Sequence, residues 1–511
     1  MSNVSTLLRS LLIYSICVPL AIVLGYLAAQ PIDTTTLTVV VPLGLLLITP
    51  LLLRWHHTWL IFVWNSALMF YFLRTSAWML LVWVSLLISV LQYTLNRKLK
   101  FLPVGPMTKP LVLLAVVILV TARCRGGIGI QMLGSSSLGG KNYIILLSAI
   151  AGFFALTARA IPLKRALFFV GLFFAGQATA AVSELSAFAP PGLYFLFVFF
   201  PAATSLSVRP LVNDPIGGIT RLGALATACS SMIWFMLARY GIDKIFTWRH
   251  LGRLVLFTVL MFISLLGGFR SILAYFLMVF AILFYLEGQM RKPLLPALLL
   301  VLLLGGSVLI PFVNHLPLSV QRTLSFLPLP VDPVARLSAE MSTEWRIRIW
   351  KNVISQIPQY LWLGKGYSMN AADFAMATNQ ALESGDYGTQ LAGDYHSGPL
   401  SLIIPFGLPG VFAFLWVLIA GGKVLRQNTL YGDPAVGQIN RLLLSLYLAK
   451  IVFFFLVFGG FGGDLAYFTG LVGMSICVNQ GVAESVPVVP QPKVVYERFK
   501  LPRPIRKPLS A

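Results

Sequence analysis

Apolar runs close to the ~20 residues needed to cross a bilayer recur along the whole chain, separated by short polar segments. They predict spanning helices near 11–29, 37–53, 57–73, 76–95, 109–122, 142–158, 167–183, 222–239, 254–268, 271–287, 294–311, 398–420, 441–458 and 465–479. The strand-period alternation expected of an outer-membrane barrel is absent. The run at 192–206 has a different character. Pro190 and Pro191 flank it and Pro201 interrupts it, so it reads as a re-entrant or interfacial piece, which membranes tolerate where it is buried in protein. More apolar sequence follows the first run, and no small-residue cleavage site does, so that run reads as a retained helix. No internal repeat of solenoid period is visible.

Composition strengthens this reading. Hydrophobic residues make up 58% of 511 positions and charged residues 11%, against about 25% charged in soluble domains. The mean hydropathy is +0.85. The formal net charge of +22 is dispersed over short segments between apolar runs, the topology signal of a membrane protein, and nucleic acid is not an expected partner. The basic clusters at 96–100, 159–165, 244–253, 291–292 and 423–426 are placed in the cytoplasm. That assignment holds throughout only if 192–206 does not cross, which gives about fourteen spans with both termini inside. The expected fold is an all-α polytopic integral membrane protein. It divides into a bundle at 1–311, one large outer loop at 312–397, further spans at 398–480 and a basic, Pro-rich tail at 481–511. The tail reads as an unstructured cytoplasmic segment able to rest on anionic lipid. Two smaller outer stretches are 184–221, with Arg209 and Arg221, and 123–141, with Arg123, Arg125 and a Gly/Ser run. Cys17, Cys229 and Cys477 lie in apolar runs and Cys124 in a loop, so neither a disulfide framework nor a zinc set is expected.

Several polar residues stand out against this background. His396, one of five histidines, closes the large outer loop just after Asp394 and Tyr395; an imidazole exchanges a proton near neutral pH. The following helix is made irregular by Gly398, Pro399, Pro405, Gly407, Pro409 and Gly410, with Ser397 expected to help cap it. Arg270 sits in the tight turn Gly267-Gly268-Phe269-Arg270-Ser271. By parity that turn faces outward, where an arginine held at membrane depth marks an ion, substrate or partner. In the large loop, Trp345, Ile349, Val353 and Ile357 repeat at helical spacing until Pro358, predicting an amphipathic helix along the outer surface. Arg346 shares a face with Trp350, whereas Arg348 points roughly the other way, so Arg346 is the arginine expected at a common site. Gly364-Lys365-Gly366-Tyr367 reads as a turn, and a phosphate cradle there would be supported by very short sequence evidence. Asp386 and Glu383 read as loop-solvating, while Asp394 could orient the imidazole. His396, Arg270 and Arg346 are therefore the catalytic candidates. Arg348, Arg221, Lys365, Asp394 and Tyr395 are the substrate-binding candidates, and Gly407 and Gly410 form a structural motif. Guanidinium forks suit phosphate oxygens and would stabilise a departing diphosphate while histidine takes a proton from an attacking hydroxyl.

His396-Ser397, nine residues, then Gly407-Leu408-Pro409-Gly410 resembles the signature of the O-antigen ligase/O-antigen polymerase family of bacterial envelope glycosyltransferases. The Arg270 turn is similar to that family's Ser-Arg-Gly turn, with Phe269 and Ser271 as departures. Arg346-x-x-x-Trp350 followed by Gly364-Lys365-Gly366 resembles its Arg-to-Trp helix and Gly-x-Gly turn. The likeness covers about 220–420. It implies a GT-C-like architecture in the bacterial inner membrane with the site facing the periplasm. It also implies a donor glycan on undecaprenyl diphosphate held by the arginines, and an acceptor, lipid A-core or another glycan, served by the histidine. Membrane lipid is the remaining partner, and no metal or other cofactor is implied. A polymerase of the same superfamily is the alternative. A polysaccharide or small-solute transporter would require paired broken helices in two related halves, and one broken region is visible.

Overall fold

The computed structural model describes residues 53–70, 75–96, 101–127, 139–184, 189–201, 219–291, 310–368 and 395–484, with short pieces between 14 and 26 and at 296, 300 and 306–307. Among these residues, seven helical stretches are long and apolar enough to cross a membrane: Ala77–Leu95, Gly105–Arg125, Leu163–Glu184, Gly223–Ile245, Gly398–Tyr431, Pro434–Leu456 and Phe461–Asn479. Three shorter apolar helices, Gly140–Leu156, Leu251–Leu265 and Arg270–Leu286, fall where further spans were expected. The chain is an all-α, multi-pass membrane protein. The spans expected at 37–53 and 294–311, and the tail, lie wholly or mostly outside the described residues.

The expected span at 57–73 is not a single helix. Helix covers 53–63, and a minimal hairpin follows in which β1 (Met69–Phe70) pairs antiparallel with β2 (Thr75–Ser76). Polar side chains at the break take over backbone groups, as Asn and Ser do where a helix yields. Asn65 Nδ2 donates to the Phe173 carbonyl at 3.2 Å and Ser66 Oγ to the Val63 carbonyl at 3.1 Å. The described part of 192–206 contains only the 3-10 turn Pro191–Leu193 and the four-residue helix Leu196–Phe199, so no span is present there among the described residues. Cys124 belongs to a helix rather than to a loop.

The principal helices are α1 (Ala77–Leu95), α2 (Thr108–Arg125), α3 (Gly140–Leu156), α4 (Ala166–Ala178), α5 (Gly223–Ile245), α6 (Leu251–Leu265) and α7 (Arg270–Leu286). Next come α8 (Leu318–Leu324) and α9 (Pro333–Ile354), and α10 (Gly398–Tyr431), α11 (Gly437–Leu456) and α12 (Phe461–Asn479) complete the set. Helix α12 packs on α3, α10 on α2, α11 and α12, α5 against α4 and α6, and α7 on α11. Phe414 is a centre of this core, with ring centroids 5.1 Å from Phe461, 5.3 Å from Phe454 and 5.9 Å from Phe468.

Two local features position α9 and the start of α10. Helix α9 starts twelve residues before the amphipathic pattern does. Asp332 caps it by accepting from the Val334 amide at 2.7 Å, and Pro333 occupies the first turn, where a missing N–H costs nothing. It ends at Ile354, ahead of Pro358. Ile349 and Val353 are buried with Tyr395, Leu400 and Ile404, which docks α9 onto the start of α10. The second feature is a break inside α10 at Gly407, whose φ of 60° and ψ of −161° are not helical. Pro405 and Pro409 flank it, each removing a donor from the helix ladder. The segment at 361–366 supplies the missing partners. Lys365 N–H donates to the Ile404 carbonyl at 2.7 Å, Gly366 N–H to the Pro405 carbonyl at 3.0 Å, and Leu408 N–H to the Leu361 carbonyl at 2.8 Å. A Cβ on Gly407 would lie 2.6 Å from the Leu361 oxygen, so glycine is required by both space and conformation.

Candidate functional site

The turn carrying Arg270 is fixed through its own carbonyls. Leu222 N–H donates to the Leu266 carbonyl at 3.1 Å, Gly268 N–H to that of Leu265 at 3.1 Å, and Thr323 Oγ1 to the same Leu265 oxygen at 3.0 Å. The Gly268 carbonyl accepts from Arg322 Nη1. Gly268 has a φ of 67°, a conformation glycine adopts freely. Pairing Leu222 with Leu266 sets Arg221 beside Gly268, where an added Cβ would lie 3.3 Å from the Arg221 side chain.

Helix α9 then closes over this turn. Arg270 Nη2 donates to the Ala339 carbonyl at 2.8 Å and to Thr343 Oγ1 at 2.6 Å. Arg221 Nη2 reaches Ser338 Oγ at a long 3.5 Å, and Arg322 Nε meets the same oxygen at 3.0 Å. Arg346 lies one turn beyond Thr343 on α9. Burial holds its guanidinium below the usual arginine range, and the positive charges of Arg270 and then Arg221 push it lower still. Its Nε is buried with no hydrogen-bond partner among the described residues. Three guanidinium groups from three elements thus share one electrostatic environment, with Glu340 within electrostatic reach of Arg270.

His396 joins this cluster through aromatic rings. Its own ring is 5.0 Å from Trp345 and 5.2 Å from Phe458, and the Arg346 guanidinium carbon is 5.6 Å from the centroid of the same Phe458 ring. The His396 backbone is left-handed, with a φ of 52°, a strain on the order of 1 kcal/mol or more that its packing must sustain. Trp350 Nε1 donates to the neighbouring Tyr395 carbonyl at 2.9 Å. The Tyr395 phenol is pushed up to about 12, chiefly by burial and then by Tyr360; it stays protonated and anchors the segment from inside.

The other candidates separate from these. Arg348 is exposed, as expected of a residue two positions from Arg346 on a helix. The turn at Lys365 is not a phosphate cradle through its backbone, because the Lys365 and Gly366 amides are spent on α10 carbonyls. Gly410 is a packing glycine: a Cβ there would lie 2.3 Å from Phe406 Cβ. Ser397 stands at the α10 N-terminus without a side-chain cap. Asp394, Asp386, Glu383 and most of the Gly/Ser run lie outside the described residues. Sequence reasoning passed over Arg322, Phe458 and an ion pair, Lys450 Nζ to Asp464 Oδ1 at 2.7 Å. Lys450 lies inside the run expected to span at 441–458, and a charge in such a run is itself a functional signal. Arg322 and Phe458 carry no comparable mark. Among the described residues no group of three or more His, Cys, Asp or Glu could hold a metal ion.

None of the curated proteins matches the chain. Residues 216–415 match the profile of a family described as O-antigen ligase. That interval contains Arg221, Arg270, Arg322, Arg346 and His396, and it stops before Lys450, Phe458 and Asp464. Members of this family are glycosyltransferase-like enzymes that act on lipid-linked glycans in membranes. Over those residues the chain is similar to the O-antigen ligase family.

Proposed function

We propose that the protein transfers a finished polysaccharide from undecaprenyl diphosphate to a hydroxyl of lipid A-core at the periplasmic face of the bacterial inner membrane. The observation that carries this reading is the convergence of Arg221, Arg270 and Arg346 beside the His396 ring, where burial and then the charges of Arg270 and Arg221 lower the Arg346 pKa. Clustered like charges favour binding a polyanion. The diphosphate of the donor is such a group, and its charge grows as the sugar–phosphate bond breaks. In the proposed step the acceptor oxygen attacks the anomeric carbon and the bond from that carbon to the diphosphate oxygen breaks. His396 takes the hydroxyl proton, and undecaprenyl diphosphate leaves with its electron pair on oxygen, held by the arginines. Arg348 and the Lys365 side chain belong to the rim, where they meet phosphate or glycan weakly.

The test is transfer by purified, reconstituted protein from a lipid-diphosphate glycan donor to lipid A-core. His396→Ala and Arg270→Ala are each expected to abolish transfer while the protein stays folded, and activity is expected to survive a chelator. Near-normal transfer by either variant overturns the mechanism, and dependence on a divalent ion points to another type of glycosyltransferase. The glycan profile of a deletion strain separates ligase from polymerase. Bare core with long polymer still on its carrier supports the ligase, whereas single repeats on core support the polymerase.

A further inference from the structure

We propose that Phe458 is a positioning residue for this transfer: its ring sets the spacing between the imidazole of His396 and the guanidinium of Arg346. The inference rests on the reading above but concerns a residue beyond the matched interval. One ring meets both groups, at 5.2 Å from the His396 centroid with planes 32° apart and at 5.6 Å from the Arg346 guanidinium carbon. Guanidinium and imidazole groups both favour the face of an aromatic ring, so one plate holds two functional side chains that come from different elements. Trp345 covers His396 at 5.0 Å, and Trp345 precedes Arg346 on α9. The imidazole therefore lies against two rings that are each tied to the cation.

The plate is rigidly mounted. Val457 and Phe458 both donate their amides to the Phe453 carbonyl at 2.9 Å, ending α11. Gly460 N–H donates to Asp464 Oδ2 at 3.1 Å, and that carboxylate is fixed by Lys450. Phe461 N–H donates to Ser401 Oγ at 3.1 Å, which ties the turn to α10. Gly459 packs so tightly that an added Cβ would lie 2.8 Å from Gly398 Cα. The turn bearing Phe458 and the helix start bearing His396 are therefore tied to each other by a hydrogen bond and close packing. A ring in this place defines how far the proton acceptor stands from the diphosphate oxygens, and a misplacement of about 1 Å at such a site can cost about 100-fold in rate.

Phe458→Leu removes the plate and leaves Arg221 and Arg270 in place. It is expected to lower kcat by about 10- to 100-fold while KM for the lipid-diphosphate donor changes by less than about threefold, the split expected when transition-state placement is lost and ground-state binding is kept. Phe458→Tyr is expected to restore kcat to within about threefold of the parent. Phe458→Met keeps the bulk without the ring and reads the same split should leucine leave the turn unfolded, as judged by thermal unfolding in detergent. A kcat near the parent value in a folded leucine or methionine variant overturns the proposal. So does an equal loss in the tyrosine and leucine variants, or a rise in donor KM that accounts for the whole defect. If Arg270→Ala and His396→Ala also transfer normally, the functional reading fails; if they are inactive and Phe458→Leu is normal, only the role of Phe458 falls.

Discussion

The protein buries charge in two different ways. Between α11 and α12, Lys450 and Asp464 meet at 2.7 Å with side chains 15% and 11% exposed, and the Lys450 ammonium also lies 5.0 Å from the Phe453 ring centroid. Around the Gly267–Arg270 turn, Arg270 instead donates to neutral oxygens of Ala339 and Thr343, and Arg346 stacks on Phe458. The pair is matched charge for charge, whereas at Arg346 burial is joined by repulsion from Arg270 and Arg221. A closed pair stabilises position. A cluster of like charges is costly by itself and, on the proposed function, becomes favourable when an anion binds, the relation seen where stability and activity trade against each other.

This contrast predicts opposite stability effects in the two regions, and the largest concerns the pair. Asp464→Asn leaves the Lys450 ammonium buried without its carboxylate, at a cost of about 3–5 kcal/mol, read as a large fall in Tm in detergent. Arg346→Ala removes one of three mutually repelling cations, so stability is expected to stay level or rise while transfer falls by about 100-fold. If Arg346→Ala destabilises as much as Asp464→Asn does, the cluster is structural and the contrast is void.

Ligand linkage sharpens the same point at smaller magnitude. Inorganic pyrophosphate, a fragment of the proposed donor, should bind the folded cluster and raise Tm in proportion to occupancy; at 100 times its Kd the gain is about 2.7 kcal/mol. Arg270→Lys keeps the charge and loses the fork, so the stabilisation is expected to weaken, and Arg270→Ala should remove it. An equal response in the Asp464→Asn and Arg270→Ala proteins would show that the anion does not use the cluster.

Much of this arrangement is legible in the sequence, for identifiable reasons. Lipid forces every backbone group to find an internal partner, so apolar runs report helices directly, and ten of the expected spans coincide with apolar helices among the described residues. Where the run also carried Asn65 and Ser66 the reading failed, because side-chain competition for backbone groups is invisible to hydropathy. Arg270 stood out as a charge beside apolar sequence and Arg346 by sharing a helix face with Trp350, and the structure brings the two within electrostatic reach. The Lys365 segment was legible as a turn, but Gly-Lys-Gly says nothing of where its amides point, and here they point at the Ile404 and Pro405 carbonyls. Arg322 and Phe458 were illegible for a related reason: a clamp arginine and an aromatic plate acquire meaning only from what folds against them.

The smallest expected effect is also the cleanest internal control. Arg346 and Arg348 lie two residues apart on α9, so the 3.6-residue helix turn places them about 200° apart. The first is partly buried against Phe458, whereas the second is exposed. Exposed charges are screened within about a Debye length, so Arg348 contributes long-range attraction for an anionic donor rather than fixed contacts. Arg348→Ala is expected to change kcat/KM by less than about threefold, with the defect confined to low ionic strength. Arg346→Ala should instead lose activity at any ionic strength. Salt titration of both variants against the parent separates the two behaviours. Equal, salt-independent losses would mean that α9 presents both faces to the donor, and the geometry that singles out Arg346 would then not govern the chemistry.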